Sequence, residues 1–455
     1  MAVKKKAERR KTKTELLAEK YAPGKALKSH SAAVVRATMS QFREHGGLAM
    51  TAGEAGQSVV GIPCPSFAFE YLVQNTAMPL DRFYQIVGQP ATYKSALGFE
   101  FARWFRKMNG AAVLLEHESK YSPDWSLSFM GWDDPDALGY VPCGSINDWQ
   151  RCLQDAFALA KTIMVGTKKE PGPGRTWPYL AIIDSIMGKS TEETQKKIEE
   201  KGFAGRAFSD EARMITAFLR GKGTEIMRGW PFVTVAINHL KLPRDERTGL
   251  TNRSKVGGKH IDFQETWELE TSWQGDKKIR KKGYDGTRLF IACKKNSLGI
   301  TDQKIPVDVL WHEEMVYDGS IGEEAWRQVS KWDWFSSSIQ LLLKLPILNE
   351  AKAVDAKKIC NVQTSKGLIF CRELGISKKS PLSTEEAGMV LQETPAVLNE
   401  LRRLFGIKVR RIFDCTMDYR KQLVIEKRNI KKKIRAHERQ QEVQSDDYEE
   451  PELET

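Results

Sequence analysis

The sequence has little cysteine: seven in 455 residues, an odd number spread from Cys64 to Cys415. No C-x-x-C pair and no Cys/His ligand spacing occurs among them, so neither a disulfide framework nor a zinc site is supported. The thiols are expected to be plain buried or surface groups. No apolar run approaches the roughly 18 residues that a membrane-spanning helix needs, and the first residues lack the apolar core of a signal peptide. The expectation is a cytoplasmic protein without a membrane partner. Internal repeats are lacking too, and the apolar and charged fractions, 41% and 29%, are ordinary for a globular chain long enough for two or three domains.

What the chain has in excess is positive charge, +12 net, unevenly placed. Lys4-Lys5-Lys6, Arg9-Arg10-Lys11 and Lys13 load the start, 277–282 is an internal basic cluster, and 402–439 is densely basic before the acidic ending SDDYEEPELET. One such cluster reads as a solvated helix face. Three together favour a polyanionic partner, and nucleic acid is the natural one.

Hydrophobic patterning divides the chain into a basic N-terminal arm with helices (1–60), a core (61–320), a mainly helical basic region (321–440) and an acidic tail (441–455) expected to be disordered. In the core, short apolar runs alternate with helical patterns, the signature of a mainly parallel sheet flanked by helices. Strands are predicted at 83–87, 111–116, 179–183, 232–237, 267–270, 289–293 and 305–310. Helices are predicted at 95–107, 146–165 and 210–227, and beyond the core at 323–345, 354–359, 384–391 and 419–441. A long basic, Gly-containing loop follows the fourth strand at 241–259, and a loop of that length is usually functional or disordered.

The core is organised around 83–101, FYQIVGQPATYKSALGFEF. An apolar run breaks at Gly88, passes through Gln89, Pro90, Ala91, Thr92 and Tyr93, and meets Lys94-Ser95 at the start of an amphipathic helix. Strand, Gly-containing loop and Lys-Ser at a helix start is how a P-loop sets backbone N–H groups and one lysine around phosphates. Tyr93 stands where the pattern calls for its second glycine. Three later strand ends are polar: Glu116 and Glu118 after AAVLL, on one side of a period-2 element; Asp184-Ser185 after YLAII; Asn238-His239 after FVTVAI. Singly, each reads as an ordinary strand end or cap. Together they offer what a nucleoside triphosphatase needs besides its phosphate loop: a carboxylate for the metal shell, a group for the attacking water and a γ-phosphate sensor.

In that order the motifs resemble the RecA family of strand-exchange recombinases, and most of all the branch found in T4-like bacteriophages. That branch also has an aromatic residue before the P-loop lysine and an I-N-H strand end. The resemblance runs over about 60–320. It implies an α/β RecA-like P-loop NTPase core that binds ATP and Mg2+, forms a helical filament of its own copies on single-stranded DNA, and pairs it with homologous double-stranded DNA. Single-strand-binding and mediator proteins are further implied partners, and the host cytoplasm the implied location. By the same carry-over, Gly88–Ser95 hold the phosphates, Ser95 binds magnesium directly and Asp184 through water. Lys94 contacts the β- and γ-phosphates, Glu118 orients or activates water, and His239 senses the γ-phosphate. Lys294 or Lys295 is implied to reach the ATP of a neighbouring subunit. The loop at 187–206, with Arg206, resembles a first DNA-binding loop. The loop at 241–258, with Lys241, Arg244, Arg247, Arg253, Lys255, Gly257 and Gly258, resembles a second. Phe99–Ala102 fits an F-x-x-A docking pattern, although core packing explains it as well. Two other functions share these features: a RecA-fold helicase or motor, and a non-catalytic DNA-binding accessory protein with a decayed P-loop.

Overall fold

The computed structural model describes residues 60–417 except 187–206, 242–253, 256–263 and a few shorter interruptions. The basic arm, the segment 187–206 with Arg206 and the residues Arg244, Arg247, Arg253, Gly257 and Gly258 expected to contact DNA, the helix expected after 419 and the acidic tail lie outside the described residues.

The strands are β1 (Val60–Pro63), β2 (Ala77–Pro79), β3 (Arg82–Gly88), β4 (Ala111–Glu116), β5 (Leu138–Pro142), β6 (Tyr179–Asp184), β7 (Phe232–Lys241), β8 (Ser254–Lys255), β9 (Glu265–Lys281), β10 (Tyr284–Asn296), β11 (Gln303–Asp318), β12 (Glu323–Trp332), β13 (Gln363–Ser365), β14 (Leu368–Phe370) and β15 (Arg411–Ile412). The α-helices are α1 (Phe67–Val73), α2 (Lys94–Lys107), α3 (Pro123–Met130), α4 (Ile146–Val165), α5 (Ala207–Phe218), α6 (Trp334–Leu348), α7 (Glu350–Ile359), α8 (Thr384–Gln392) and α9 (Pro395–Phe405).

One large mixed sheet, in the order β12-β11-β10-β9-β3-β7-β6-β4-β5 with β8 on the end of β7, carries the fold. From β9 to β5 all strands are parallel; β10, β11 and β12 extend it antiparallel. The parallel strands are apolar almost without a break because helices cover both faces. On one face α2 lays Leu97, Phe101 and Phe105 into a cluster with Leu114, Ile182 and Ile237. On the other, Trp149, Leu153 and Phe157 of α4 and Ile215 of α5 pack with Leu115, Ile183 and Phe232, with Phe157 stacked 4.5 Å from Phe232. At about 25 cal/mol per Å2, each such ring contributes about 2–3 kcal/mol of burial.

Six adjacent strands of the sheet are parallel as expected, but it extends antiparallel through β10, β11 and β12, and strands β1, β2, β5, β8, β13, β14 and β15 were not predicted. The third predicted helix runs over Ala207–Phe218, with helical residues again at Gly221, Gly223 and Met227. One expectation is corrected outright. The predicted helix over 323–345 is two elements, β12 and then α6. Helix-forming Glu, Ala, Arg and Gln in 323–328 suggest a helix, but β11 would then expose a long open edge, and pairing overrides local propensity. Trp132 Nε1 donates to the Gln328 carbonyl (3.0 Å), and Arg327 donates to Asp318 (2.6 Å), fixing β12 there.

The boundary expected at 320 is likewise not a spatial one. Residues of α6, α7, α8 and α9 share the cluster of α1 and α2, and β15 pairs parallel with β1. Arg402 of α9 clamps Glu70 of α1 through two hydrogen bonds, 2.7 and 2.6 Å. Phe99, Phe101 and Ala102 are all buried in α2, so core packing accounts for the F-x-x-A pattern in this chain.

Candidate functional site

β3 lies between β7 and β9, in the middle of the sheet, and ends at Gly88. A Cβ on Gly88 would meet Thr92 Oγ1 at 2.5 Å and the Thr271 carbonyl at 2.7 Å, so the close passage of the loop admits only glycine. The loop turns through two left-handed residues, Ala91 (φ 61°) and Tyr93 (φ 59°). Tyr93 is the N-cap of α2, and its carbonyl accepts from Leu97 N at 3.0 Å, closing the first helical turn. Thr92 Oγ1 donates to the Gln89 carbonyl (2.8 Å) and lies 2.9 Å from Thr271 Oγ1 on β9. The result is a strand, a tight loop and a helix N-terminus, whose orphan N–H groups and dipole favour an anion.

The other three strand ends come to the same edge. Gly88 is in register with His239, and Glu116 with Asp184, so sheet pairing alone brings these levels together. Ser95 donates to Asp184 Oδ2 at 2.5 Å, and the Asp184–Ser185 peptide bond is cis. Glu118 accepts from His239 Nε2 (2.6 Å) and from Lys120 Nζ (3.1 Å). Lys94, buried, donates to the Gln89 carbonyl at 2.6 Å. Of the sequence-predicted residues, Lys94, Ser95, Glu118, Asp184 and His239 are thus brought together.

Burial and neighbours tune these groups in opposite directions. Burial pushes Asp184 up to about 6, against the Ser95 hydrogen bond, while the nearby Glu118 charge adds to the rise. The His239 hydrogen bond, with a smaller part from Lys120, pulls Glu118 down to about 2 despite partial burial. Burial lowers Lys94, and Asp184 and Glu118 oppose it. Two carboxylates at one edge with separated affinities for a proton can take different roles.

Other predicted residues fall elsewhere. Glu116 does not join Glu118: β4 ends at Glu116, whose carboxylate accepts from Lys120 N (3.0 Å) and Tyr140 OH (3.4 Å) and fixes the turn that aims Glu118. Lys295 is paired with Glu268, itself level with Gln85. Gln85 is the middle residue of β3, three residues or about 10 Å back from Gly88, so Lys294 and Lys295 sit at mid-strand level, back from this chain's own loop. Lys294 binds Asp302 at 3.3 Å. Lys241 ends β7, and Lys255 of β8 pairs back onto Leu240, so the chain leaves and rejoins the sheet two residues beyond Asn238-His239.

Several residues of the site were not read from the sequence. Thr271, Trp273 and Trp311 support the loop from β9 and β11: Tyr93 stands edge-on to Trp273, ring centroids 5.7 Å apart, and stacks at 6.4 Å with Trp311. The signal was there in part, since an aromatic residue in a glycine position requires compensating contacts. Lys120 had no sequence signal beyond its nearness to Glu118. Trp125 leaves an exposed indole packed edge-on to Phe99 of α2, 5.8 Å between centroids.

A magnesium ion fits the donor set in only one manner. Among the described residues no cluster of three or more His, Cys, Asp or Glu side chains is arranged to hold a metal. Ser95 and Asp184 give one hydroxyl and one carboxylate, which suits an ion that keeps waters and takes further oxygens from a bound phosphate. Neither a known protein-family model nor a curated protein matches the chain.

Proposed function

We propose that this chain is an ATP-dependent DNA recombinase of the RecA type, which forms filaments on single-stranded DNA and pairs it with a homologous duplex. The observation that carries the nucleotide half is the convergence of Lys94, Ser95, Asp184, Glu118 and His239 at one sheet edge, beside a helix N-terminus. The open carboxyl edge of parallel strands is where α/β folds bind ligands. The DNA half rests on the order of the sequence motifs and on the basic segment that leaves the sheet two residues after His239.

In this reading the loop N–H groups and Lys94 bind the triphosphate, and Ser95 and Asp184 hold magnesium, which would neutralise phosphate charge. Glu118 is held ionised by His239 and Lys120. The His239 hydrogen bond pulls its pKa down to about 2, which suits a carboxylate that accepts a hydrogen bond from the attacking water and fixes its direction. His239 ties that carboxylate to β7 and hence to the chain that leaves the sheet after Lys241, so a change at the γ-phosphate position has a direct route to the basic segment. The exposed indole of Trp125, on α3 and packed edge-on against Phe99 of α2, offers a stacking surface for a purine.

The test is ATP hydrolysis with and without single-stranded DNA, followed by a joint-molecule assay with homologous duplex. Lys94→Ala should abolish nucleotide binding. Glu118→Gln should retain binding and lose turnover by a factor of about 100 or more. DNA-stimulated turnover persisting in both would refute the assignment, and absence of joint molecules from an active ATPase would refute the recombinase reading.

A further inference from the structure

The Tyr93 side chain has no task in the proposed chemistry, and with Ala91 it is one of two non-glycine residues of the loop in the left-handed region, the bulkier of the pair and the one that caps α2. A side chain in the left-handed region persists only where its surroundings over-determine it. Here the conformation matters to the site, because the Tyr93 carbonyl closes the first turn of α2, and Lys94 and Ser95 are the first residues of that turn. If Tyr93 relaxed to an ordinary conformation, that first hydrogen bond would be lost and both side chains would change direction.

β9 grips the loop at two consecutive residues: Thr271 holds Thr92 by a hydroxyl pair, and Trp273 holds the Tyr93 ring edge-on. Trp311 adds a stacked contact from β11. Trp273 is 43% exposed, a poor place for an indole whose only purpose is core packing. We infer, resting on the nucleotide-site reading above, that Trp273 is a positioning residue for the phosphate loop: it holds Tyr93 in the left-handed conformation from which Lys94 and Ser95 are aimed. Glycine adopts that conformation without strain. A loop with glycine at 93 therefore has no need of Trp273, and this dependence between two positions separates positioning from mere surface packing.

The experiment is a double-mutant cycle in the full chain with Tyr93→Gly, Trp273→Ala and their combination, and with Trp273→Phe as the conservative variant. ATP turnover with single-stranded DNA gives KM and kcat, and chemical denaturation of the same proteins gives midpoints. In the Tyr93 background Trp273→Ala should raise KM about five-fold with kcat changed less than about two-fold, a loss of binding rather than of chemistry. Trp273→Phe should restore most of the affinity. In the Tyr93→Gly background Trp273→Ala should change KM less than about two-fold. An equal rise in both backgrounds, or none in either, overturns the inference. A wild-type chain that hydrolyses no ATP removes the nucleotide reading, and the midpoints then decide alone: coupling of positions 93 and 273 keeps the strut, additivity overturns it.

Discussion

Replacing Tyr93 by alanine and by glycine separates the backbone conformation of the loop from the contacts of its side chain. Both substitutions delete the ring contacts to Trp273 and Trp311. Two aromatic pairs at about 0.5–1.5 kcal/mol each make that shared loss about 1–3 kcal/mol. They differ in the left-handed φ of 59°: alanine keeps a strain of about 1–2 kcal/mol, and glycine keeps none. Tyr93→Gly is therefore expected to be more stable than Tyr93→Ala by about 1 kcal/mol. In a right-handed helical residue the order is reversed, alanine exceeding glycine by about 1 kcal/mol, so the sign alone is diagnostic. Urea denaturation followed by tryptophan fluorescence and by circular dichroism measures it. Alanine equal to or more stable than glycine at this position would refute the left-handed cap, and with it the reason given for the aromatic support.

Three further outcomes follow from the same structure. Arg402→Ala leaves the carboxylate of Glu70, 2% exposed, without its two-pronged partner, and should cost about 3–5 kcal/mol in a denaturant titration; Glu70→Gln in that background should recover part of it. Gly388→Ala puts a Cβ 2.2 Å from the Phe335 carbonyl oxygen, where backbone cannot give way locally, so separation of α8 from α6 should lower stability by about 1–3 kcal/mol. Burial pushes Asp81 from its ordinary 3.8 up to about 6. Across that window the folded state keeps a proton that the unfolded state has released, so stability is full below about pH 4 and falls as pH rises through about 6. Asp81→Asn, which tolerates the left-handed φ of 54° at this position, should flatten the slope by up to about 3 kcal/mol over the window. Asp184, Glu70 and Glu100, also raised by burial, contribute in the same direction, and an unchanged slope in Asp81→Asn would exclude Asp81 as a source.

The sequence by itself determined the parallel half of the sheet and the cast of the candidate site. Runs such as FYQIV, YLAII and FVTVAI are apolar almost without interruption because strands covered on both faces need no polar side, and they end in Gly88 at the phosphate loop or in polar residues at the same sheet edge. Lys94, Ser95, Glu118, Asp184 and His239 were legible for that reason. What only the tertiary structure decided is which of these touch. Glu118 and Glu116 look equivalent in the sequence, yet the end of β4 directs one to His239 and the other to the backbone of Lys120. β12 was read as helix because its local propensities are helical and the open edge of β11 that it satisfies is invisible to a local pattern. Tyr93 shows the division most sharply. Sequence identifies an aromatic residue in a glycine position; the left-handed backbone that makes it costly, and the two indoles from distant strands that hold it there, exist only once β9 and β11 are paired beside the loop.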